Sequence, residues 1–346
     1  MQYRNLGQSD LKISLTGLGT MTWGFQNTLA QGFEQMDYAI DQGINFFDTA
    51  EMYAIPPTKE TYGSTETIIG SWFASRKNRD KVVLATKISG PGMGWIRNGS
   101  NRLDKKNISL AIESSLKRLQ TDYIDLYQLH WPNRDFYHFG KTWGFSPKHD
   151  VVAIEANFIE ILETLQKFIV AGKIRHIGLS NESAWGTMKY LQLAKEMNLP
   201  RIASIQNEFS LVCRYFEPDL SEVAIQEQCG LLAWSPLSRG ALSGKYLNGA
   251  RPKGSRLTIE TRPDHRAHPQ TEIAISKYVD LARRYKIDPC QMAIAFVNQQ
   301  KFVTSTLIGA TSMEQLQNNV EAINLQLNDE ILKEIELIRR EHPLPY

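Results

Sequence analysis

Short apolar, β-rich runs alternate with amphipathic stretches from one end of this chain to the other, and that alternation limits the fold more than any other feature. The runs occupy residues 15–18, 44–48, 81–87, 124–130, 174–180, 203–207, 231–235 and 303–309, eight in all. Between them, apolar residues recur at helical spacing over 33–42, 105–119, 151–170, 184–198, 218–228 and 271–284. Pro289 suits the first turn of a further helix, Ser312 caps another, and residues 328–340 close the chain as a helix. Strand and helix alternating eight times predicts an α/β fold, a single (β/α)8 TIM barrel. A doubly wound sheet would carry its glycine fingerprint in the first βα turn, and no G-x-G-x-x-G follows the first strand.

Tyr3-Arg4-Asn5-Leu6 and Leu11-Lys12-Ile13-Ser14-Leu15, joined by a Gly-Gln-Ser-Asp turn, predict a β-hairpin that plugs the barrel bottom. No repeat beyond the βα unit, low-complexity tract or linker interrupts the chain, so residues 1–346 read as one domain. Three long irregular stretches, 90–104, 131–150 and 238–267, each follow a strand. In a barrel this puts them over the C-terminal mouth, where active sites form.

With 346 residues, 42% hydrophobic and 22% charged, the chain has the composition of a large globular domain. A net charge of +2, with basic and acidic residues interspersed, argues against nucleic acid as a partner. Cys213, Cys229 and Cys290 are odd in number and lack CxxC spacing, which points away from a disulfide framework or a metal site and towards a reducing cytoplasm. The N-terminus has no apolar signal core, and no window approaches the roughly 18 apolar residues of a membrane span. A soluble, unprocessed protein without a membrane partner is expected.

Asp48 ends the second barrel run, Tyr53 lies five residues on, Lys87 ends the third and His130 the fourth. Any one of these alone reads better as a solvated loop residue or half of an ion pair. All four at consecutive strand ends suggest chemistry: Lys87 beside Tyr53 would lower the phenol's pKa from about 10, Asp48 would keep Lys87 charged, and a neutral His130 would donate to a substrate carbonyl.

Around these residues the chain resembles the aldo-keto reductase superfamily over essentially its whole length. The resemblance is carried by Gly17-Leu18-Gly19-Thr20-Met21, by Gly43-Ile44-Asn45-Phe46-Phe47-Asp48-Thr49-Ala50-Glu51-Met52-Tyr53 and by Leu84-Ala85-Thr86-Lys87. Ser114-Ser115-Leu116-Lys117-Arg118-Leu119, Asp122–Pro132 and Gly172–Asn181 extend it. Glu51-Met52-Tyr53 followed by Pro56-Pro57 resembles in particular the branch of bacterial Tas-type proteins, relatives of the potassium-channel β subunits. The resemblance implies an Asp48, Tyr53, Lys87 and His130 tetrad. It also shows a departure: the family commonly has Gly directly after the Tyr, whereas here Ala54 follows and residues 55–62 intervene before Gly63-Ser64-Thr65-Glu66. That longer loop is expected to alter the pocket wall and keep the acid.

By the same resemblance, Gly19, Thr20 and Met21 touch the cofactor, while Ser180, Asn181 and Gln206 hold a nicotinamide carboxamide. Trp234 would stack on the nicotinamide, although a rim Trp also serves as plain packing. Trp234-Ser235-Pro236-Leu237-Ser238-Arg239-Gly240-Ala241-Leu242-Ser243-Gly244-Lys245 is glycine-rich and basic, as a pyrophosphate-wrapping loop requires. Seven Lys or Arg lie between Ser238 and Ala267 against two acids, Glu260 and Asp264, with Arg262 and Arg266 read as solvated. Gly309, Thr311 and Ser312 bring the last strand to a helix start suited to a phosphate. Gln315, Asn318 and Asn319 match adenosine-contacting positions, though the family more often has Glu at Asn318. Lys245 and Arg256 would read the 2′-phosphate, favouring NADPH over NADH.

Trp23, Trp95 and Trp131, with Phe136, Tyr137, Phe139, Trp143 and Phe145, are candidates for an apolar carbonyl pocket. The leading expectation is NADPH-dependent reduction of an aldehyde or ketone, with Tyr53 as proton donor and no metal. A cofactor-binding docking module and a Schiff-base aldolase acting through Lys87 are the alternatives. The physiological carbonyl compound, and monomer against homo-oligomer, stay open.

Overall fold

The computed structural model describes residues 1–260 and 264–346; Arg262 lies outside the described residues. The chain opens with an antiparallel hairpin, β1 (Tyr3–Asn5) and β2 (Lys12–Ser14), paired Tyr3 to Ser14 and Asn5 to Lys12. Eight parallel strands follow: β3 (Thr16–Gly19), β4 (Phe46–Asp48), β5 (Val83–Ile88), β6 (Ile124–Leu129), β7 (Ile174–Ser180), β8 (Ile202–Gln206), β9 (Leu231–Ala233) and β10 (Val303–Ile308). They close in chain order, β10 pairing with β3, so the expected barrel is present and has no open edge.

The helices are α1 (Leu29–Asp41), α2 (Ser64–Arg76), α3 (Lys105–Leu119), α4 (Val151–Val170), α5 (Ala184–Glu196), α6 (Asp219–Gln226), the short α7 (Arg256–Ile259), α8 (Pro269–Arg284), α9 (Pro289–Asn298), α10 (Met313–Glu321) and α11 (Asp329–Glu341). Among the described residues, none is long and apolar enough to cross a membrane. α1 begins four residues before the apolar periodicity does, because Thr28 and Gln31 form a reciprocal capping box. α2 lacks a one-sided stripe since Ile68, Ile69, Trp72 and Phe73 are buried on several sides. Its Gly70 permits close packing on α3, because a Cβ there would run into the Arg118 carbonyl oxygen.

Two cores result. The larger lies between barrel and helices. The smaller fills the lower barrel, where Phe46, Ala85, Leu126, Leu232 and Leu307 meet Leu6 and Ile13 of the hairpin segment. Arg4 locks this plug by donating to the Asn298 carbonyl at 2.9 Å and the Gln300 carbonyl at 3.2 Å.

Side chains two apart on a strand share a face. The inward positions Phe46, Ala85 and Leu126 are therefore succeeded, one step nearer the mouth, by Asp48, Lys87 and Gln128. An apolar floor carries a polar upper layer. Gly178 makes room for it, since a Cβ there would stand 2.8 Å from Ser204 Oγ and 3.3 Å from Gln128 Cγ.

Candidate active site

The polar layer is built around Asp48. Its Oδ2 accepts from Lys87 Nζ at 2.6 Å, and its Oδ1 from Gln206 Nε2 at 2.8 Å and Gln128 Nε2 at 3.1 Å. Lys87 also donates to the Thr49 carbonyl at 2.7 Å. Both Lys87 and Gln128 are fully buried. Tyr53 comes over this layer from the loop after β4: Lys87 Nζ stands 5.1 Å from its ring centroid, and the His130 ring meets it edge-on at 5.8 Å. All four expected rim residues are thus brought together. Gln128 is a site residue that the sequence pattern did not single out, although it precedes His130 by two residues and so had to share its inward face.

The electrostatics differ from the expectation. The crowded mouth desolvates the Tyr53 phenol and Asp48 repels its anion, and both effects raise its pKa; the cation that lowers it is Arg256. The lowering expected from Lys87 is outweighed by burial and Asp48, and Asp48 in direct contact offsets much of the Lys87 charge. Burial pulls the Lys87 ammonium below its ordinary value, with Asp48 opposing. Burial and then Lys87 hold His130 far below the usual imidazole range, so its ring is neutral at physiological pH. Its Nδ1 is buried without a partner among the described residues.

Above the tetrad lies an apolar rim of Ala50, Met52, Ile55, Ile96 and Trp131, joined by Met21, Tyr53, Tyr62, Met93, Trp95 and Phe136. Trp95 and Trp131 belong to this rim. Trp23 does not: it is fully buried in the outer core, its Nε1 donating to Gln35 Oε1 at 3.0 Å, because its strand end turns it under α1. Phe139 spans the mouth, 6.5 Å from Trp131 and 5.9 Å from Trp234. Tyr137 and Phe145 pack on each other at 5.7 Å, and Trp143 is 70% exposed, too open to form a wall.

Residues expected around a nicotinamide divide between committed and unpartnered atoms. Ser180 Oγ donates to the Gln206 carbonyl at 2.8 Å and Asn181 Nδ2 to the His130 carbonyl at 2.8 Å. Asn181 Oδ1, Trp234 Nε1 and Ser238 Oγ are buried with no partner among the described residues, as groups reserved for a ligand would be. Gln206 departs from expectation in spending its amide nitrogen on Asp48. Gly19 lets the backbones close, since its Cβ would stand 3.2 Å from the Ile308 carbonyl oxygen, and Thr20 Oγ1 donates to the Asp48 carbonyl at 2.9 Å.

Past Trp234 the chain turns through left-handed residues Ser235, Ser238, Arg239, Gly240 and Gly244, a conformation that curls N–H groups towards an anion. Leu242 is in the outer core and Leu237 and Ala241 pack against it, so their side chains do not face the mouth. Arg239 is not available as a bare cation, being paired with Asp264 at 3.1 Å and Glu260 at 3.7 Å. Arg266, expected in solvent, is buried and donates to Glu208 Oε1 at 2.6 and 2.8 Å. Lys245 has no carboxylate partner among the described residues, and its charge is felt by Cys290 on α9. The charge of Arg256 is felt by Tyr53. At α10, Gln315 Oε1 accepts from the Thr311 amide and hydroxyl at 3.1 Å, and Asn318 bridges Asp288 and Gln291. Asn319 is buried and Gly309 exposed beside them.

A barrel with these side chains at its mouth has close relatives. The chain is 48% identical to Protein tas of Escherichia coli strain K12 over 347 aligned residues, 100% of this chain and 99% of that one. It is 33% identical to the uncharacterized oxidoreductase YrpG of Bacillus subtilis, covering 96% and 94% of the two chains. To norsolorinic acid reductase stcV of Emericella nidulans it is 30% identical, covering 94% and 78%. Residues 16–340, from the first barrel strand to the last helix, match the Aldo/keto reductase family, and the chain belongs to that family as an NAD(P)-dependent oxidoreductase.

Proposed function

We propose that the protein reduces an aldehyde or ketone with NADPH, as one catalytic domain in which Tyr53 gives the new alcohol its proton. The observation that carries this reading is the convergence of Tyr53, His130 and the Lys87–Asp48 pair at the C-terminal mouth, with His130 Nδ1 unpartnered among the described residues. NADPH, when bound, would supply the hydride. Neutral His130 orients the carbonyl by donating a hydrogen bond. Tyr53 keeps its proton until the oxygen needs it, and Lys87 stabilises the phenolate as the proton leaves. Lys87 is tied to Asp48 and the Thr49 carbonyl, which disfavours the Schiff-base alternative. The buried unpartnered atoms of Asn181 and Trp234 suit a carboxamide and ring between β7 and β9. Three free thiols are in keeping with a reducing cytoplasm. The test is an NADPH-oxidation screen over small aldehydes, ketones and quinones, run beside the Tyr53→Phe protein; equal turnover by both proteins removes Tyr53 from its role.

Because the phenol's pKa is raised and that of His130 is lowered, the active protonation states, Tyr–OH and neutral imidazole, persist through neutrality. kcat/KM for reduction is expected to stay flat between about pH 6 and 9. A limb near the ordinary histidine value would contradict the neutral His130.

Lys245, on the loop after β9 and without a carboxylate partner among the described residues, is the group we assign to the 2′-phosphate. One charge-assisted bond contributes about 1.5–3 kcal/mol, so Lys245→Met is expected to weaken NADPH binding by about 10–100-fold and leave NADH binding unchanged. Tryptophan fluorescence titrations with both cofactors measure this. Equal losses for the two would remove the phosphate from Lys245.

A further inference from the structure

We propose that Glu51 is a positioning residue that, through Arg97 and Tyr62, sets the wall of the carbonyl site and so decides which carbonyl compounds bind. The inference rests on the carbonyl-reducing reading above and concerns residues outside the tetrad and the cofactor groove.

Glu51 stands two residues before Tyr53 and is fully buried. Its Oε1 accepts from the Ser89 amide and from Arg97 Nη1, both at 2.7 Å. Its Oε2 accepts from Arg97 Nη1 at 2.7 Å and the Tyr62 hydroxyl at 3.0 Å. One carboxylate therefore joins the loop that carries Tyr53, the end of β5, the long loop after β5 and the far end of the 55–62 insertion. Arg97 and its neighbour Asn98 have φ of 47° and 57°, a region that residues with a Cβ occupy where contacts hold them.

What hangs on this tie is the pocket wall. Met93, Trp95 and Ile96 immediately precede Arg97 and line the rim beside Tyr53. Tyr62 packs edge-on against Trp95 at 5.8 Å, and the Arg118 guanidinium covers the Tyr62 ring at 5.2 Å. Arg118 is held in turn by Glu66 at 2.6 Å. Releasing Glu51 leaves Arg97 without its counter-charge and frees both sides of the Trp95 face. None of these contacts touches the tetrad's hydrogen bonds or the loop after β9. The effect should therefore fall on carbonyl binding, with hydride and proton transfer and cofactor affinity spared.

The experiment uses 1,4-naphthoquinone, a flat dicarbonyl, titrated onto the protein–NADP⁺ complex by quenching of tryptophan fluorescence, together with steady-state reduction by NADPH. Glu51→Gln keeps the shape and removes the charge; Arg97→Met removes the partner from a loop outside the barrel and decides the matter if Glu51→Gln fails to fold. Both are expected to raise the quinone Kd and KM about tenfold or more, with kcat changed less than about threefold and the NADP⁺ Kd unchanged. Arg97→Lys is expected to retain most of the binding, and the double variant to be no worse than the worse single one. An unchanged quinone Kd in Arg97→Met overturns the proposal, as does a fall in kcat with Kd intact, or a native protein that does not bind the quinone. A native protein that binds the quinone without reducing it defeats the functional reading alone, because the Kd series still decides the role of Glu51.

Discussion

Tyr53→Phe is expected to lower carbonyl turnover by about 10²–10⁴-fold, the usual weight of a positioned proton donor. NADPH affinity is expected to stay within about twofold, because the ring is kept and only the donor goes. The ring's packing against His130 and its place over Lys87 depend on the aromatic face, which Phe preserves. His130 is a poor substitute acid: burial and the Lys87 charge keep its imidazole neutral, and a neutral imidazole gives up its remaining N–H proton reluctantly. Steady-state turnover and a fluorescence titration with NADPH, made on the same preparation, separate the two effects. Matching losses in turnover and in cofactor affinity would show that the variant had disturbed the groove, and that Tyr53 is no specific donor.

The second large effect is on stability as well as activity. Lys87 and Asp48 form a buried pair at 2.6 Å with almost no solvent contact. Lys87→Met leaves the Asp48 carboxylate, among the described residues, with only the amide donors of Gln128 and Gln206. Removing one partner of such a pair typically costs about 3–5 kcal/mol, because the remaining charge is uncompensated. Replacing both, as Asp48→Asn with Lys87→Met, is expected to recover most of that loss, since two neutral groups of similar size fill the same space. Turnover is expected to be lost in both variants that lack Lys87, as the phenolate then has no cation beneath it. Urea denaturation of the two single variants and the double one reads the stability term, and NADPH oxidation reads the activity. If Lys87→Met proves as stable as the native protein, the pair is not the structural keystone of the polar layer. If the double variant still turns over substrate, Lys87 has no part in the proton step.

The distance of each partner along the chain explains what could be read in advance. Alternating runs and amphipathic stretches are local patterns, and repeated through the chain they already determined the barrel, its plug and which loops crown it. The strand-end positions of Asp48, Lys87 and His130 were equally local, because a period of two fixes which side chains face inward. The same rule turns Gln128 inward, two residues before His130, although nothing in its residue type singled it out. Partnerships across the barrel were not legible: Gln206 reaches Asp48 across a separation of 158 residues, Arg266 reaches Glu208 across 58, and Arg97 reaches Glu51 across 46.

Charge was the poorest guide of all. Lys245, Arg239, Arg256 and Arg266 look alike as basic residues of one loop. Yet folding gives the first no carboxylate among the described residues, matches the second with two acids, lets the charge of the third be felt at Tyr53 and buries the fourth against Glu208. The cause is dielectric: a cation that loses water must find a counter-charge. Which counter-charge lies nearby is a property of the closed barrel. The sequence by itself determined the architecture and the identity of the rim residues; only the tertiary structure decided which of its many charges are neutralised and which remain to meet a ligand.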